Sequence, residues 1–425
     1  MKPKLLVISY WFPPFQAMGT YRVASFVRAF ADAGWHVAVV APRDSVWAHY
    51  GLRGVPVPDC ELCRTPAASW AVVLRRLSLG TLKGGAQTTG GQNVGGGRLK
   101  RFLYSLYNNW LCYPDECRPW LWFGMRKAVR FGVTFRPDAI LSSAMPASAH
   151  VIAARIQSEL NVPWIADYRD LWTRHETRPR PRRHERRFQE LEDKTIRNAS
   201  VLTTVSRQYA RVLETNTGKS CRIVYNGFEP SDLPMRSLRQ PNQFTILYTG
   251  MIYPDQQHPE RFLHGLKQFV DAEQLSPEQV RFVYMGASDE TVHDLAAVTA
   301  TQPFCDIRCS QPRQDALHHQ QEASVLLFLA CDTTGWIPGK LFEYLANGKP
   351  ILSVGARNEE IGELLDLCPR SEHCPDAEAV SRVLRAYWQA WRIKRSAGDC
   401  CSVRLGDFTR GAQARKMIEL ADNLR

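Results

Sequence analysis

Residues 338–351 read P-G-K-L-F-E-Y-L-A-N-G-K-P-I, and they follow a buried-strand run at Val325–Ala330. The spacing predicts a short helix over Lys340–Asn347, with Gly348 as its stop and Pro350 beyond it. A strand followed by a helix is the repeating unit of a parallel α/β sheet, and chain direction puts the helix start at the carboxyl edge of that sheet. The stretch therefore predicts both the fold class and the edge at which a ligand would bind.

The start of this helix is suited to an anion. Its unpaired first-turn N–H groups and the helix dipole favour negative charge, and Lys340 adds a full positive charge. Glu343, one turn on, is predicted to accept hydrogen bonds from ribose hydroxyls. A surface Lys340–Glu343 pair, worth a few tenths of a kcal/mol, fits the spacing equally well. The predicted buried face comprises Leu341, Phe342, Leu345 and Ala346, and the opposite face comprises Lys340, Glu343, Tyr344 and Asn347.

The first half of the chain predicts a doubly wound parallel sheet. Short apolar runs of strand length alternate with helix-length segments, and a helix-like stretch at Thr20–Ala33 ends at Gly34. The predicted strands are Lys4–Tyr10, His36–Ala41, Ala139–Ser143, Trp164–Asp167, Val201–Val205 and Ile223–Tyr225.

The second half of the chain shows the same alternation of strand-length apolar runs and helix-length segments, which predicts a second sheet. Its strands are Phe244–Thr249, Arg281–Met285, Cys305–Arg308, Val325–Ala330 and Ile351–Val354. We therefore expect an N-terminal domain over 1–225, a linker over 226–243 and a second domain over 244–404. A closing helix within 405–425 is expected to pack back on the first domain. Two such domains would face one another across a cleft.

The charge of the chain favours an anionic partner. Lys and Arg number 54 against 42 for Asp and Glu, a net charge of +12, which suits phosphate, a nucleotide or an anionic membrane surface. The 12 cysteines are scattered, and no secretory leader is recognisable, so we expect a reduced, cytoplasmic protein. The charge-free stretch Ala139–Ala154 is shorter than the ~20 apolar residues of a membrane span.

The spacing of residues argues against two other motifs. Gly335-x-x-x-Gly339-Lys340 has only three residues between its glycines and Leu341 after the lysine, whereas a phosphate-binding P-loop needs four and then Ser or Thr. Cys60 and Cys63 have metal-ligand spacing, but no second tight pair accompanies them, which argues against zinc.

Two segments have unusual composition. The glycine-rich stretch 84–97 has too little apolar surface to fold and is predicted to be a mobile loop. The stretch from Arg174 to Arg187 holds seven arginines. It is either a solvated connection or a contact for a phosphorylated acceptor or anionic lipid.

The ordered motifs resemble the retaining glycosyltransferases of family 4, which have the GT-B fold, and especially bacterial members that build surface polysaccharides. Glu343-Tyr-Leu-Ala-Asn-Gly-Lys-Pro350 resembles their Glu-x-x-Ala-x-Gly-x-Pro segment. Four other segments agree in order along nearly the whole chain: Tyr10-Trp-Phe-Pro-Pro-Phe with Gly19 and Arg22, Tyr113-Pro-Asp115 with Trp120 and Trp122, Pro163–Trp172 with its Arg-Asp-Leu-Trp end, and Val205-Ser206 with Asn226-Gly-Phe228.

The resemblance implies transfer of a sugar from a nucleotide-sugar donor to a lipid-linked or growing glycan, with retained configuration. It implies no metal, no further cofactor and no nucleic-acid partner, at the cytoplasmic side. The charge excess, Arg174–Arg187 and the aromatic-rich segment Phe102–Phe123 suit peripheral contact with an anionic membrane, although these aromatic residues could equally belong to the core. Arg169, Asp170 and Lys340 are the implied catalytic residues, although Arg169 and Asp170 could instead brace their loop. The implied donor-binding residues are Gly19, Arg22, Gly250, Gly335, Trp336, Gly339, Lys340, Leu341 and Glu343. For Arg22 a structural pairing is an equal alternative.

Two departures from the family leave the activity open. Gly335 stands where members often have a glutamate, and Gly250-Met251 with His258 stands where many have Arg and Lys. A donor-binding or scaffolding subunit without turnover is therefore the alternative function. A nucleotide-sugar epimerase, expected to use a single sheet, fits the second strand series poorly.

Overall fold

The computed structural model describes residues 2–43, 54–67, 112–173, 182–233, 242–253, 256–332, 335–393 and 403–425. The predicted mobile loop at 84–97, and residues 174–181 of the arginine-rich stretch, lie outside the described residues. The chain forms two compact units, Met1–Tyr225 with Arg410–Arg425 and Asn226–Thr409.

The first unit is built on a seven-stranded, wholly parallel sheet of order β3-β2-β1-β4-β5-β6-β7. Its strands are β1 (Lys4–Ser9), β2 (His36–Pro42), β3 (Glu61–Thr65), β4 (Ala139–Ala144), β5 (Trp164–Tyr168), β6 (Val201–Thr204) and β7 (Cys221–Ile223). Its helices before the second unit are α1 (Met18–Asp32), α2 (Arg118–Phe135), α3 (Ser148–Leu160), α4 (Arg182–Ile196) and α5 (Arg207–Thr217).

The second unit is built on a six-stranded parallel sheet of order β10-β9-β8-β11-β12-β13. Its strands are β8 (Phe244–Thr249), β9 (Val280–Met285), β10 (Cys305–Arg308), β11 (Val325–Leu329), β12 (Ile351–Val354) and β13 (Ser371–Cys374). Its helices are α6 (Pro259–Ala272), α7 (Asp289–Val298), α8 (Arg313–Glu322), α9 (Gly339–Asn347), α10 (Glu359–Asp366) and α11 (Ala377–Arg392). Short 3₁₀ turns lie at Pro230–Asp232, Gln302–Phe304 and Val403–Phe408.

Burial on both faces explains the composition of the central strands. Leu5 to Ile8 of β1 and all of β11 are buried, as parallel strands covered by helices on both sides must be. The strand order reverses direction between β1 and β4 in the first unit and between β8 and β11 in the second. Ligands of doubly wound sheets bind at such switch points, beyond the carboxyl ends of the strands.

The last helix, α12 (Arg410–Leu424), belongs to the first unit. Its Ala414, Met417 and Ala421 are fully buried in the same hydrophobic core as Val23 and Phe26 of α1. The chain therefore leaves the first unit at Tyr225, builds the second and returns to complete the first core.

The prediction of two Rossmann-like parallel sheets is confirmed. The strand at Ile223–Tyr225 lies two residues earlier, at Cys221–Ile223, and two edge strands, β3 and β13, were not predicted. β13 has the sequence S-E-H-C, with only Cys374 buried, because an edge strand needs no continuous apolar run. None of the helices in the described part of the chain combines the length and apolar character that a membrane span needs.

Candidate functional site

The switch point of the second sheet brings the end of β8 to the start of α9. Lys340 joins the two, because its Nζ donates to the carbonyl oxygen of Thr249 at 3.2 Å and lies 3.7 Å from the ring centroid of Tyr248. Pro338 precedes the helix and supplies no side-chain cap, so the first turn keeps its affinity for an anion. The predicted helix start therefore lies at the predicted edge of the sheet.

The ammonium group of Lys340 is only partly exposed. Burial lowers its pKa to about 7, and the nearby Glu343 carboxylate opposes that shift. Gly250 follows Thr249 with φ 110°, a conformation that favours glycine, and a β-carbon there would lie 3.5 Å from the Lys340 Nζ. A bound anion would supply the negative charge that keeps this lysine protonated.

Glu343 is buried, and its described ion pair is with Arg313 of α8. Its Oε1 lies 2.8 Å from Nη2 of Arg313, which also lies 3.1 Å from Oδ2 of Asp232. The alternative of an exposed Lys340–Glu343 surface pair therefore does not describe this residue. Arg313 and Asp232 were missed by the sequence analysis, because nothing in their local sequence signals a partner on another element.

The predicted polar face of α9 is wrong for two further residues. Tyr344 and Asn347 are both buried, so α9 is enclosed on nearly all sides. The Tyr344 hydroxyl accepts from the Thr249 N–H at 3.0 Å, and Gln320 links this pair to Asn347 through bonds of 3.1 and 3.0 Å. Burial raises the pKa of Tyr344 to about 12. This polar network fixes α9 against the end of β8.

The remaining predicted donor-binding residues of the second unit lie around the same helix start. The Trp336 ring meets the Tyr253 ring edge-on at 5.3 Å between centroids. Gly335 and Gly339 lie at the two ends of the short segment that leads into α9, and both are buried. The Leu341 side chain is fully buried and its N–H donates to the Pro338 carbonyl at 3.1 Å, so its side chain is part of the core.

Arg22 of the first unit forms an internal ion pair. Its Nη2 and Nε lie 2.7 and 3.1 Å from the carboxylate of Asp167, and its Nη1 donates to the Tyr225 carbonyl at 2.8 Å. Ser143 and Thr203 also donate to Asp167. Burial favours the neutral acid, yet Arg22 and these hydroxyls hold the pKa of Asp167 below its usual value. These contacts favour the structural alternative for Arg22 over a donor-binding role.

Arg169 and Gly19 are in direct contact. A β-carbon at Gly19 would lie 1.3 Å from the Arg169 Nη1, so the guanidinium occupies the space that any larger residue would need. Arg169 donates to the carbonyl oxygens of Ala144, at 2.9 Å, and Met145. Burial lowers its pKa to about 10, and Asp170 opposes the shift. The backbone contacts agree with the bracing alternative, while Arg169 and Asp170 both keep part of their surface exposed.

Asp115 of the Tyr-Pro-Asp segment anchors a helix. Its carboxylate accepts from the N–H groups of Ser148, at 2.6 Å, and Cys117, at 2.7 Å, and so caps the start of α3. Burial raises its pKa to about 6 despite these bonds.

The predicted site residues themselves fall into two groups, one at the carboxyl edge of each sheet. In the described part of the chain, no cluster of His, Cys, Asp or Glu is arranged to hold a metal ion.

Comparisons with known proteins agree with this architecture. Residues 19–227, just under half of the chain, match the family model of the glycosyl transferase 4-like domain. No curated protein sequence matched the chain. Among solved structures, a sucrose-phosphate synthase from Thermosynechococcus elongatus matches with a TM-score of 0.65 and 14% identity, covering 100% of this chain and 99% of that chain.

Two further solved structures match over nearly the whole chain. The Anabaena protein HepE in complex with UDP matches with a TM-score of 0.60 and 12% identity, with 100% of both chains covered. A putative UDP-N-acetylglucosamine 2-epimerase from Listeria monocytogenes matches with a TM-score of 0.54 and 12% identity, covering 98% of this chain and 95% of that chain. The expectation that an epimerase would use a single sheet is therefore wrong for this fold.

The first unit is therefore similar in sequence to the glycosyl transferase 4-like domain, and the two parallel sheets have the GT-B fold of the solved structures that they match.

Proposed function

We propose that the chain is a retaining glycosyltransferase. It moves a sugar from a nucleotide-sugar donor to a lipid-linked or growing glycan acceptor in surface polysaccharide biosynthesis. The observation that carries the proposal is Lys340, held over Tyr248 at the start of α9 and at the switch point of the second sheet. An uncapped helix start with one desolvated cation is the kind of site that binds the diphosphate of a nucleotide.

In the proposed complex the diphosphate lies against the first turn of α9. The first-turn amides and the Lys340 ammonium stabilise the negative charge that grows on the leaving diphosphate as its bond to the sugar breaks. The acceptor hydroxyl forms the new bond on the same face of the sugar and passes its proton to a donor phosphate oxygen. No carboxylate nucleophile and no metal ion are assigned to this reaction.

Glu343 is proposed to accept hydrogen bonds from the ribose hydroxyls. The ion pair with Arg313 fixes one of its oxygens, which lowers the conformational cost of binding. HepE was solved in complex with UDP-glucose as well as with UDP, which supports a nucleotide-sugar donor for this fold.

The first test is thermal stabilisation by a panel of nucleotide sugars. A ligand at ~100 times its dissociation constant adds about 2.7 kcal/mol to the free energy of unfolding, and the panel identifies the base and the sugar. Lys340→Ala and Glu343→Ala are expected to abolish most of the shift. Lys267→Ala, which removes a half-buried lysine of α6 far along the chain from the site, is the matched control and should keep it. Equal shifts for Lys340→Ala and the control would contradict the proposed site.

The second test measures donor consumption. With a glycan or lipid-linked acceptor, a transferase releases nucleoside diphosphate, whereas a binding subunit without turnover shows the thermal shift alone. Gly335 stands where members of the family often have a glutamate, and this departure favours the alternative of a donor-binding subunit without turnover. An epimerase would interconvert the nucleotide sugar without an acceptor, so product analysis separates all three.

A further inference from the structure

Helix α2 exposes an unusual amount of apolar surface. Trp122, Phe123 and Val133 are 51%, 59% and 40% exposed, whereas the other exposed large hydrophobic residues in the described part of the chain occur singly. The exposed residues Phe123, Arg126, Arg130 and Val133 follow one another along the chain at intervals of three or four residues. They therefore lie on one side of the helix. We call Trp122, Phe123, Arg126, Arg130 and Val133 the α2 surface.

The charge of this helix has a single sign. Arg118, Arg126, Lys127 and Arg130 are its charged residues, and no acidic residue lies between Arg118 and Phe135. The Arg118 guanidinium stacks 4.8 Å from the Trp122 ring, and Lys127 donates to the Arg64 carbonyl at 2.9 Å. Arg126 and Arg130 are exposed between the apolar side chains. A surface of this kind is complementary to a layer that is apolar inside and anionic outside.

The opposite side of α2 is fixed in the core, so the exposure is a consequence of packing. Trp120 is fully buried, and its Nε1 donates to the Thr65 hydroxyl of β3 at 2.7 Å. Ala128 and Phe135 are also buried on that side. The helix cannot turn its aromatic residues inward without breaking these contacts.

We propose that the α2 surface binds the headgroup region of an anionic lipid bilayer. Trp and Phe enter the boundary between headgroups and acyl chains, and the arginines keep their charged ends among the lipid phosphates. Single-stranded nucleic acid also binds aromatic and basic residues, but it needs a groove that follows its backbone, and α2 offers a convex helical side. The proposal is independent of the donor site, since α2 lies in the first unit.

The test is cosedimentation of the full-length protein with vesicles. Wild-type protein is expected to bind vesicles of equal parts phosphatidylglycerol and phosphatidylcholine, and to bind vesicles of phosphatidylcholine alone far more weakly. Replacing Arg126 and Arg130 with alanine should lower partitioning about fivefold for each cation. Trp122→Ser with Phe123→Ser should lower it roughly tenfold.

The controls separate this surface from general effects. Arg197→Ala with Arg211→Ala removes two exposed cations elsewhere in the first unit, and Val298→Ser removes an exposed apolar side chain of the second. Both should bind vesicles as the wild type does, and so should Lys340→Ala. Unchanged melting temperatures show that the variants are folded.

Two outcomes would overturn the proposal. The first is no binding of the wild type to anionic vesicles, including the case in which it binds a single-stranded oligonucleotide instead. The second is an equal loss of vesicle binding in the α2 and control variants.

Discussion

Lys340 is the residue whose chemistry depends most on its surroundings. Its pKa is lowered to about 7 by burial, and the nearby Glu343 carboxylate opposes that shift. Its direct contacts are the Tyr248 ring and the Thr249 carbonyl. Neither partner carries a full negative charge. The free protein therefore holds this ammonium in a state that an anion would stabilise strongly.

We predict that nucleotide-sugar affinity falls as pH rises above neutrality. Below pH 7 Lys340 is already protonated, and binding carries no protonation cost. Above pH 7 the free protein must take up a proton to bind, so the association constant should fall by up to about tenfold per pH unit until the raised pKa of the complex is reached. The diphosphate of a nucleotide sugar does not titrate in this range, which leaves the protein as the source.

The measurement is isothermal titration calorimetry at several pH values and in buffers of different ionisation enthalpy. Lys340→Arg is the matched variant, because a guanidinium stays protonated. It should bind with little pH dependence and without proton uptake. A wild-type affinity that stays constant between pH 7 and pH 9 would contradict the prediction, because it would show that Lys340 takes up no proton when the donor binds.

The surroundings of Lys340 were only partly predictable from the sequence. The motif placed Lys340 and Glu343 on one short helix at a sheet edge, and that placement is a property of local spacing. It could not supply Arg313 or Asp232, which meet Glu343 only through tertiary packing. The burial of Tyr344 and Asn347 was likewise missed, because polar side chains enter a core when distant groups satisfy them.

At the scale of elements, the Arg22–Asp167 pair ties α1 to β5, and the bond from Arg22 to Tyr225 adds the segment after β7. Both side chains are almost completely buried. We predict that Arg22→Ala lowers the free energy of unfolding by about 3–5 kcal/mol, because it leaves the Asp167 carboxylate without its cation. Arg22→Ala with Asp167→Ala should cost less than the sum of the two single changes.

Urea denaturation at several pH values measures this. The pKa of Asp167 is lowered in the folded state, so the contribution of the pair is complete at neutral pH and is lost as pH falls through the folded value. The difference in the free energy of unfolding between the wild type and Arg22→Ala should therefore become smaller in acid. A small, pH-independent effect would mean that Arg22 is available to bind a ligand.

Central elements were predicted more accurately than edge elements. β1, β8 and β11 are mostly apolar and almost wholly buried, since each is covered on both faces, and their bounds were predicted within one residue. β3 and β13 are half-exposed and partly polar, so their sequences resemble loops. The strands that were easiest to predict are those that position the candidate site.

At the scale of the whole molecule, the last helix completes the first core after the second unit has been built. Met417 of α12 is fully buried in that core, and Glu419, two residues on, is exposed. We predict that Met417→Asp destabilises the first unit by at least about 3 kcal/mol, because it buries an unpaired carboxylate in apolar surroundings. Glu419→Ala on the same helix should have almost no effect.

Hydrogen–deuterium exchange distinguishes a local from a global response. Because the core around Met417 contains β1 and α1, exchange in Met417→Asp should rise in peptides from these elements. Peptides from β8 and β11 belong to a separate core and should keep their protection. If protection fell equally in both sheets, the two units would unfold as one cooperative structure, and the candidate site in the second unit would depend for its stability on a helix that belongs to the first.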